Sequence, residues 1–139
     1  MKFAVGQSFK SARTFLQGEY DEFARLSGDN NPIHVDPAFA AQTRFGRTVS
    51  HGMLLYGLIC GVLSRHFPGA VQLEQRFTFP APTYADEAMT INLTITELLP
   101  DEQLRLTTTI ANPQGLLTCD GETVIRVPYS EIQNRKSEL

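Results

Sequence analysis

The chain has 139 residues, 42% of them hydrophobic and 19% charged, and carries a formal net charge of −3. That length fits one domain, and that composition belongs to a soluble globular protein rather than a disordered one. Beyond Arg44 and Arg47 and the adjacent pair Arg135-Lys136, Lys and Arg form no cluster, so the basic footprint of a nucleic-acid binder is missing.

Met1 to Gly6 turns polar too soon to supply the apolar core of a signal peptide. The longest apolar stretch, Gly52 to Leu63, is short of the ~20 residues a membrane span needs. A cytoplasmic protein with no membrane partner is therefore expected. Cys60 and Cys119 lack CxxC spacing and sit in apolar surroundings, which fits reduced core thiols.

In chain order, Gln17 to Leu26 places Tyr20, Phe23, Ala24 and Leu26 near helical spacing, and Gly28 stops that short amphipathic helix. Pro32 disfavours helical backbone at Asn31, which puts Asp29 and His34 on a loop. Asp36-Pro37 opens a second short helix over Ala38 to Thr43, with Asp as N-cap. Ser50 to His66 reads as the third helix, capped by Ser50. It is apolar around nearly its whole circumference, hence buried on most sides. Pro68-Gly69 ends it. The front half thus reads as helix and loop.

The back half alternates apolar and polar residues with period two. Four runs do so: Val71 to Phe79, Met89 to Thr96, Leu104 to Ile110, and Leu117 to Val127. Each argues a strand with one wet face, so an antiparallel sheet follows. The expected fold class is α+β, one domain over residues 1–129 with a long buried helix wrapped by the sheet. The polar segment 130–139 is expected to form a frayed tail.

Asp29 and His34 lie five positions apart across an Asn-Pro turn. A carboxylate and an imidazole are well suited to moving protons on and off water near neutral pH. Each also has a structural reading: Asp29 as a turn cap in a Gly-Asp-Asn-Asn loop, His34 as a packed, hydrogen-bonded ring. Spacing alone leaves both readings open. At Ser50-His51-Gly52, the first-turn N–H groups of a helix have no internal acceptors and favour a developing oxyanion. A plain helix start is the alternative there, and His51 fits a structural hydrogen-bonder better than a base. Asp29, His34, His51 and Cys60 follow no recognised metal-ligand spacing. Tyr56, Cys60 and Leu63 share a helix face suited either to core packing or to lining a pocket. Phosphate loops, nucleophile elbows and dinucleotide fingerprints are absent.

Gly28-Asp29-Asn30-Asn31-Pro32-Ile33-His34, then Asp36-Pro37, Phe39-Ala40 and His51-Gly52-Met53-Leu54, closely resemble the MaoC-like family of R-specific enoyl-CoA hydratases and dehydratases. The resemblance covers nearly the whole chain and implies the hotdog fold, a long helix wrapped by an antiparallel sheet. It implies that Asp29 and His34 are the catalytic pair, that Gly52 N–H polarises a thioester carbonyl, and that Asn31 orients the His loop. Substrate contacts are expected from Asn31, His51, Met53, Tyr56, Cys60 and Leu63. A small hydroxyl residue is frequent in the family where this chain has Cys60, a departure from its pattern.

The implied reaction is reversible hydration of a trans-2-enoyl-CoA to an (R)-3-hydroxyacyl-CoA, with no cofactor and no metal. Family members are usually homodimers joined sheet edge to sheet edge. Three alternatives share these residues or this fold: a dehydratase acting on acyl carrier protein, a thioesterase, and a non-enzymatic acyl-binding or partner subunit. Intact Asp29 and His34 argue against the last.

Overall fold

The computed structural model describes residues 3–128, so the polar tail expected over 130–139 lies outside the described residues. Five strands form one antiparallel sheet: β1 (Ser8–Thr14), β2 (Val71–Thr78), β3 (Ala88–Leu99), β4 (Gln103–Ala111) and β5 (Leu117–Arg126). Their spatial order is β1-β3-β4-β5-β2, so β1 and β2 are the two edges. Four helices precede or interrupt them: α1 (Gln17–Ser27), α2 (Pro32–Val35), α3 (Pro37–Ala41) and α4 (Gly52–His66).

The four back-half strands appear where period-two patterning placed them. β1 is an addition to the helix-and-loop reading of the front half. Its sequence SFKSART is polar and largely exposed, because an edge strand packs little apolar surface while its main chain pairs with β3 from Ser8↔Thr94 to Thr14↔Ala88. The other edge strand, β2, is also mostly exposed, and a bulge between Gln72 and Glu74 breaks its alternation.

Leu55, Ile59, Val62 and Leu63 form the buried stripe of α4. They share one core with Ile91, Leu93 and Ile95 of β3, Leu104, Leu106 and Ile110 of β4, and Cys119 and Ile125 of β5. Each fully buried side chain of this size contributes about 1.5–3 kcal/mol through area removed from water. The burial expected on most sides of α4 is interrupted by an exposed flank of Met53, Gly57, Gly61 and Ser64. Three smaller expectations also shift. The second short helix spans Pro37–Ala41. His34 sits in the single turn of α2, since Pro32 with its fixed φ opens a helix as readily as it blocks the residue before it. The N-cap of α4 is His51 rather than Ser50, whose hydroxyl turns to donate to the His51 carbonyl oxygen at 2.9 Å.

Gly121 on β5 shows how tightly β2 is held. A Cβ there would stand 2.0 Å from the carbonyl oxygen of Arg76 and 2.6 Å from the ring of Phe77. Gly121→Ala is therefore expected to push β2 off β5 and to lower stability by about 1–3 kcal/mol, as overpacking does. Urea denaturation measures this, and an unchanged midpoint would show that β2 is free to move.

Candidate active site

Local sequence shapes the Asp29–His34 loop. Gly28 ends α1 in the left-handed region (φ 82°), with its N–H donating to the Ala24 carbonyl. The chain then turns through Asp29 and Asn30 to Asn31, whose side-chain oxygen accepts the Ile33 N–H at 3.2 Å and caps α2. Asp36 caps α3 in the same way, accepting from Ala38 and Phe39. Two caps within six residues fix a segment too short to be stable on propensity alone.

A strap of extended chain then crosses this loop. Val49 N–H donates to the Ile33 carbonyl at 3.1 Å, while the Val49 carbonyl lies 2.8 Å from Nδ1 of His34. A carbonyl only accepts, so Nδ1 of His34 carries the proton and its Nε2 holds the lone pair in the neutral ring. On the far side, Gln17 donates to the His34 main-chain oxygen at 2.8 Å, and Thr48 donates to Gln17 at 2.5 Å. The imidazole of His34 is thus anchored through its ring and through its backbone.

His51 completes the cluster. Its ring is 1% exposed and stacks on His34 with centroids 3.8 Å apart and planes 25° from parallel. Its Nε2 donates to the main-chain carbonyl of Asp29 at 2.8 Å, again a contact that sets the tautomer. One ligand atom from each of Asp29, His34 and His51 lies within 4.8 Å of the others. The set does not suit a cation. Two of the four imidazole nitrogens are spent on carbonyls, and the two rings stack face to face, whereas ligands of one ion stand about it tetrahedrally at about 2 Å.

Asp29 is exposed and forms part of the wall of a cavity of about 400 Å³, within the size range of small-molecule sites. Gly52, Met53, Val49, Arg44, Phe79 and the Pro80–Thr83 segment line the same space. Gly52 opens α4 at the cavity wall, and no side chain caps that helix end. A Cβ at position 52 would lie 2.7 Å from the Phe79 ring, so only glycine allows the ring to cover the helix start.

The remaining predicted residues fall elsewhere. Met53 shares the cavity, 57% exposed. Tyr56 and Cys60 point instead to β2: the Tyr56 hydroxyl donates to Gln72, whose amide approaches Cys60 Sγ at 3.2 Å. Burial, reinforced by Cys60, pushes the Tyr56 phenol up to about 12. Leu63 belongs to the core, and with Cys60, Phe67 and Gln72 it lines a second, separate hollow. Cys119 is the fully buried thiol, pushed up to about 12 by burial, whereas Cys60 is only half-buried. Sequence reading passed over Val49, Phe79 and the Pro80–Thr83 wall. Val49 acts through its main chain, which carries no residue-type signal, and Pro80-Ala81-Pro82 reads as a simple strand break.

One antiparallel sheet over a long central helix, with an Asp–His pair beside the helix start, defines a hotdog protein with an acid–base site. The chain belongs to the MaoC like domain family, whose pattern matches residues 2–111. It is 39% identical over 127 residues to an (R)-specific enoyl-CoA hydratase of Aeromonas caviae, covering 89% of this chain and 95% of that protein. It is 34% identical over 125 residues to an (R)-specific enoyl-CoA hydratase of Rhodospirillum rubrum, covering 88% and 87%. Among solved structures, the A. caviae (R)-hydratase superposes with a TM-score of 0.86 over 91% of this chain and 98% of that one. R-hydratase PhaJ1 of Pseudomonas aeruginosa gives 0.85 at 33% identity, over 91% and 83%.

Burial, with the neighbouring His34 adding to it, holds the His51 imidazole below its ordinary pKa of 6.5. The unfolded chain therefore binds that proton more readily than the folded one. The stability due to neutral His51 is complete above about pH 6.5 and is lost as pH falls below it. Thermal melts between pH 7 and 5 should show a steeper loss for wild type than for His51→Gln. Parallel curves would mean that His51 titrates normally in the fold.

Proposed function

We propose that this chain is an R-specific enoyl-CoA hydratase, adding water reversibly to a trans-2-enoyl thioester of coenzyme A. The observation that carries the reading is the anchored Asp29–His34 pair beside an uncapped helix start, in a chain that matches (R)-specific enoyl-CoA hydratases over nearly its whole length.

The chemistry follows from Asp29 and Gly52 on the cavity wall and from the His34 ring, a nitrogen of which lies within 4.8 Å of the Asp29 carboxylate. An enoyl thioester seats its carbonyl oxygen against the Gly52 N–H at the positive end of α4. Adding hydroxide to the β-carbon places negative charge on that oxygen as an enolate forms, and the helix start stabilises it. Removing one such donor costs about 3–4 kcal/mol in other enzymes. Asp29 and His34 share the attacking water. His34, protonated at Nδ1 by its bond to Val49, has Nε2 free to take the water proton, and the Asp29 carboxylate aligns the second O–H. The pair then returns one proton to the α-carbon, so that one water is added and the site is restored. Run backwards, the same groups dehydrate a 3-hydroxyacyl thioester. Substrate contacts by Asn31 and Met53 belong to this reading, whereas Cys60 and Leu63 line a separate hollow and Tyr56 turns to Gln72. Carrier-protein thioesters use the same acyl chemistry; 3-hydroxyacyl-[acyl-carrier-protein] dehydratases match at lower coverage or identity, as at 36% over 58% of this chain, which favours coenzyme A as the carrier.

The protein would act in the cytoplasm, and no helix among the described residues is long and apolar enough to cross a membrane. A homodimer fits the outer edge of β2, where Val71 and Leu73 are 56% and 40% exposed beside unpaired main-chain groups.

Wild-type protein is expected to bleach the conjugated absorbance of crotonyl-CoA. Asp29→Asn and His34→Gln should each lower kcat by about 10²–10⁴-fold while keeping the wild-type melting temperature. Full activity in either variant contradicts the pairing. Light scattering behind a sizing column should give the mass of two chains, and a single-chain mass would rule out pairing through β2.

A further inference from the structure

The cluster contains a ring for which water addition has no direct use. His51 is 1% exposed, too deeply set to meet a substrate, and it does not line the cavity that Asp29 and Gly52 share. It nevertheless touches both halves of the acid–base pair. Its Nε2–H holds the main-chain carbonyl of Asp29 at 2.8 Å, and its face lies against His34 at 3.8 Å. The edge of the Phe23 ring meets it at 4.8 Å and Tyr20 at 6.5 Å, both from α1. As the N-cap of α4, its backbone also fixes where Gly52 begins the helix.

Nδ1 of His51 is a further clue. It is buried and has no hydrogen-bond partner among the described residues. An orphaned nitrogen of this kind costs free energy and is usually retained for a reason. Here the missing partner fixes the ring state. With nothing to receive a proton from Nδ1 and a carbonyl waiting at Nε2, the neutral Nε2–H form satisfies the larger need. The titratable groups around the ring are Asp29 from the loop, His34 from α2 and Tyr20 from α1. A neutral His51 leaves His34 free to gain a proton without a second positive charge stacked 3.8 Å away.

We propose that His51 is the positioning residue of the site, a neutral imidazole that sets the separation of Asp29 and His34 from each other and from Gly52. This rests on the hydratase reading, in which those three groups must converge on one water and one carbonyl. Small misplacement of reacting groups is enough to cost about 10²-fold in rate, so the contacts of His51 act on turnover rather than on binding.

Two variants separate its contacts. His51→Phe keeps an aromatic face for His34 and loses the donor to Asp29; His51→Gln keeps an amide donor near the Nε2 position. With crotonyl-CoA, His51→Phe is expected to lower kcat about 10- to 100-fold with KM within twofold of wild type, and His51→Gln to recover most of that loss. Calorimetric affinity for butyryl-CoA, a saturated analogue, should be unchanged in both. A kcat within twofold of wild type in His51→Phe overturns the proposal, as does a raised KM with unchanged kcat. Equal losses, or a larger loss in His51→Gln, overturn it too, because a ring that merely fills space is replaced better by Phe than by Gln. A readout independent of activity covers a variant that fails to fold, and covers failure of the hydratase reading itself. Long-range ¹H–¹⁵N spectra of wild type at pH 7 should show His51 neutral and protonated at Nε2, and an Nδ1–H or doubly protonated ring overturns the assignment.

Discussion

The site hangs on two hydrogen bonds made by the main chain of Val49. Its N–H goes to the Ile33 carbonyl, and its carbonyl receives Nδ1–H of His34, so one peptide strap grips the single turn of α2 from both sides. Without that grip, four residues of helix opened by a proline have no stability of their own. The strap is itself tied down. Val49 bridges to Tyr84, Ser50 N–H donates to the Thr83 carbonyl at 2.9 Å, and two residues later the chain becomes α4. The acid–base pair and the helix start are therefore consecutive stations on one short segment, and distance errors cannot accumulate between them.

That segment is anchored in the core through α4. Beyond it, Leu55 and Ile59 root α4 among the sheet residues, and Phe79 at the end of β2 covers Gly52. β2 in turn is held against β5 through Gly121, where no side chain fits. A chain of contacts thus runs from an edge strand to the cavity wall. The polar groups it encloses are nearly all matched, which buried polar groups require. Two of the unmatched atoms lie at the site: Thr83 Oγ1 on a residue of the cavity wall, and Nδ1 of His51 against the acid–base pair itself.

Much of this was legible in the sequence, for physical reasons that can be named. Period-two alternation exposed β3, β4 and β5 because each has one face in the core and one in water. The edge strand β1 escaped because Lys10 and Arg13 occupy a largely exposed strand in which Phe9 alone packs on the core, so its pairing leaves little hydrophobic trace. The Asp29–His34 pair stood out because proton transfer demands particular side chains at a spacing that a turn can close. Val49 left no mark, since any residue supplies the same N–H and carbonyl. Ser50 looked like the cap of α4 by residue type, but with its hydroxyl turned to the His51 carbonyl the helix end stays open toward the cavity. Tyr56 and Cys60 share a face with Leu63, yet their polar tips are drawn to Gln72 on β2, an attraction that helical spacing does not reveal.

The central claim is that Asp29 and His34 deliver one water to the β-carbon of a thioester whose carbonyl rests on Gly52. Turning over crotonyl-CoA in H₂¹⁸O and analysing the product by mass spectrometry and chiral separation tests it directly. A shared, activated water predicts ¹⁸O on carbon 3 of (R)-3-hydroxybutyryl-CoA with the thioester intact. Label appearing instead in a free carboxylate, with release of coenzyme A, would show that the water attacks the carbonyl and would contradict hydration.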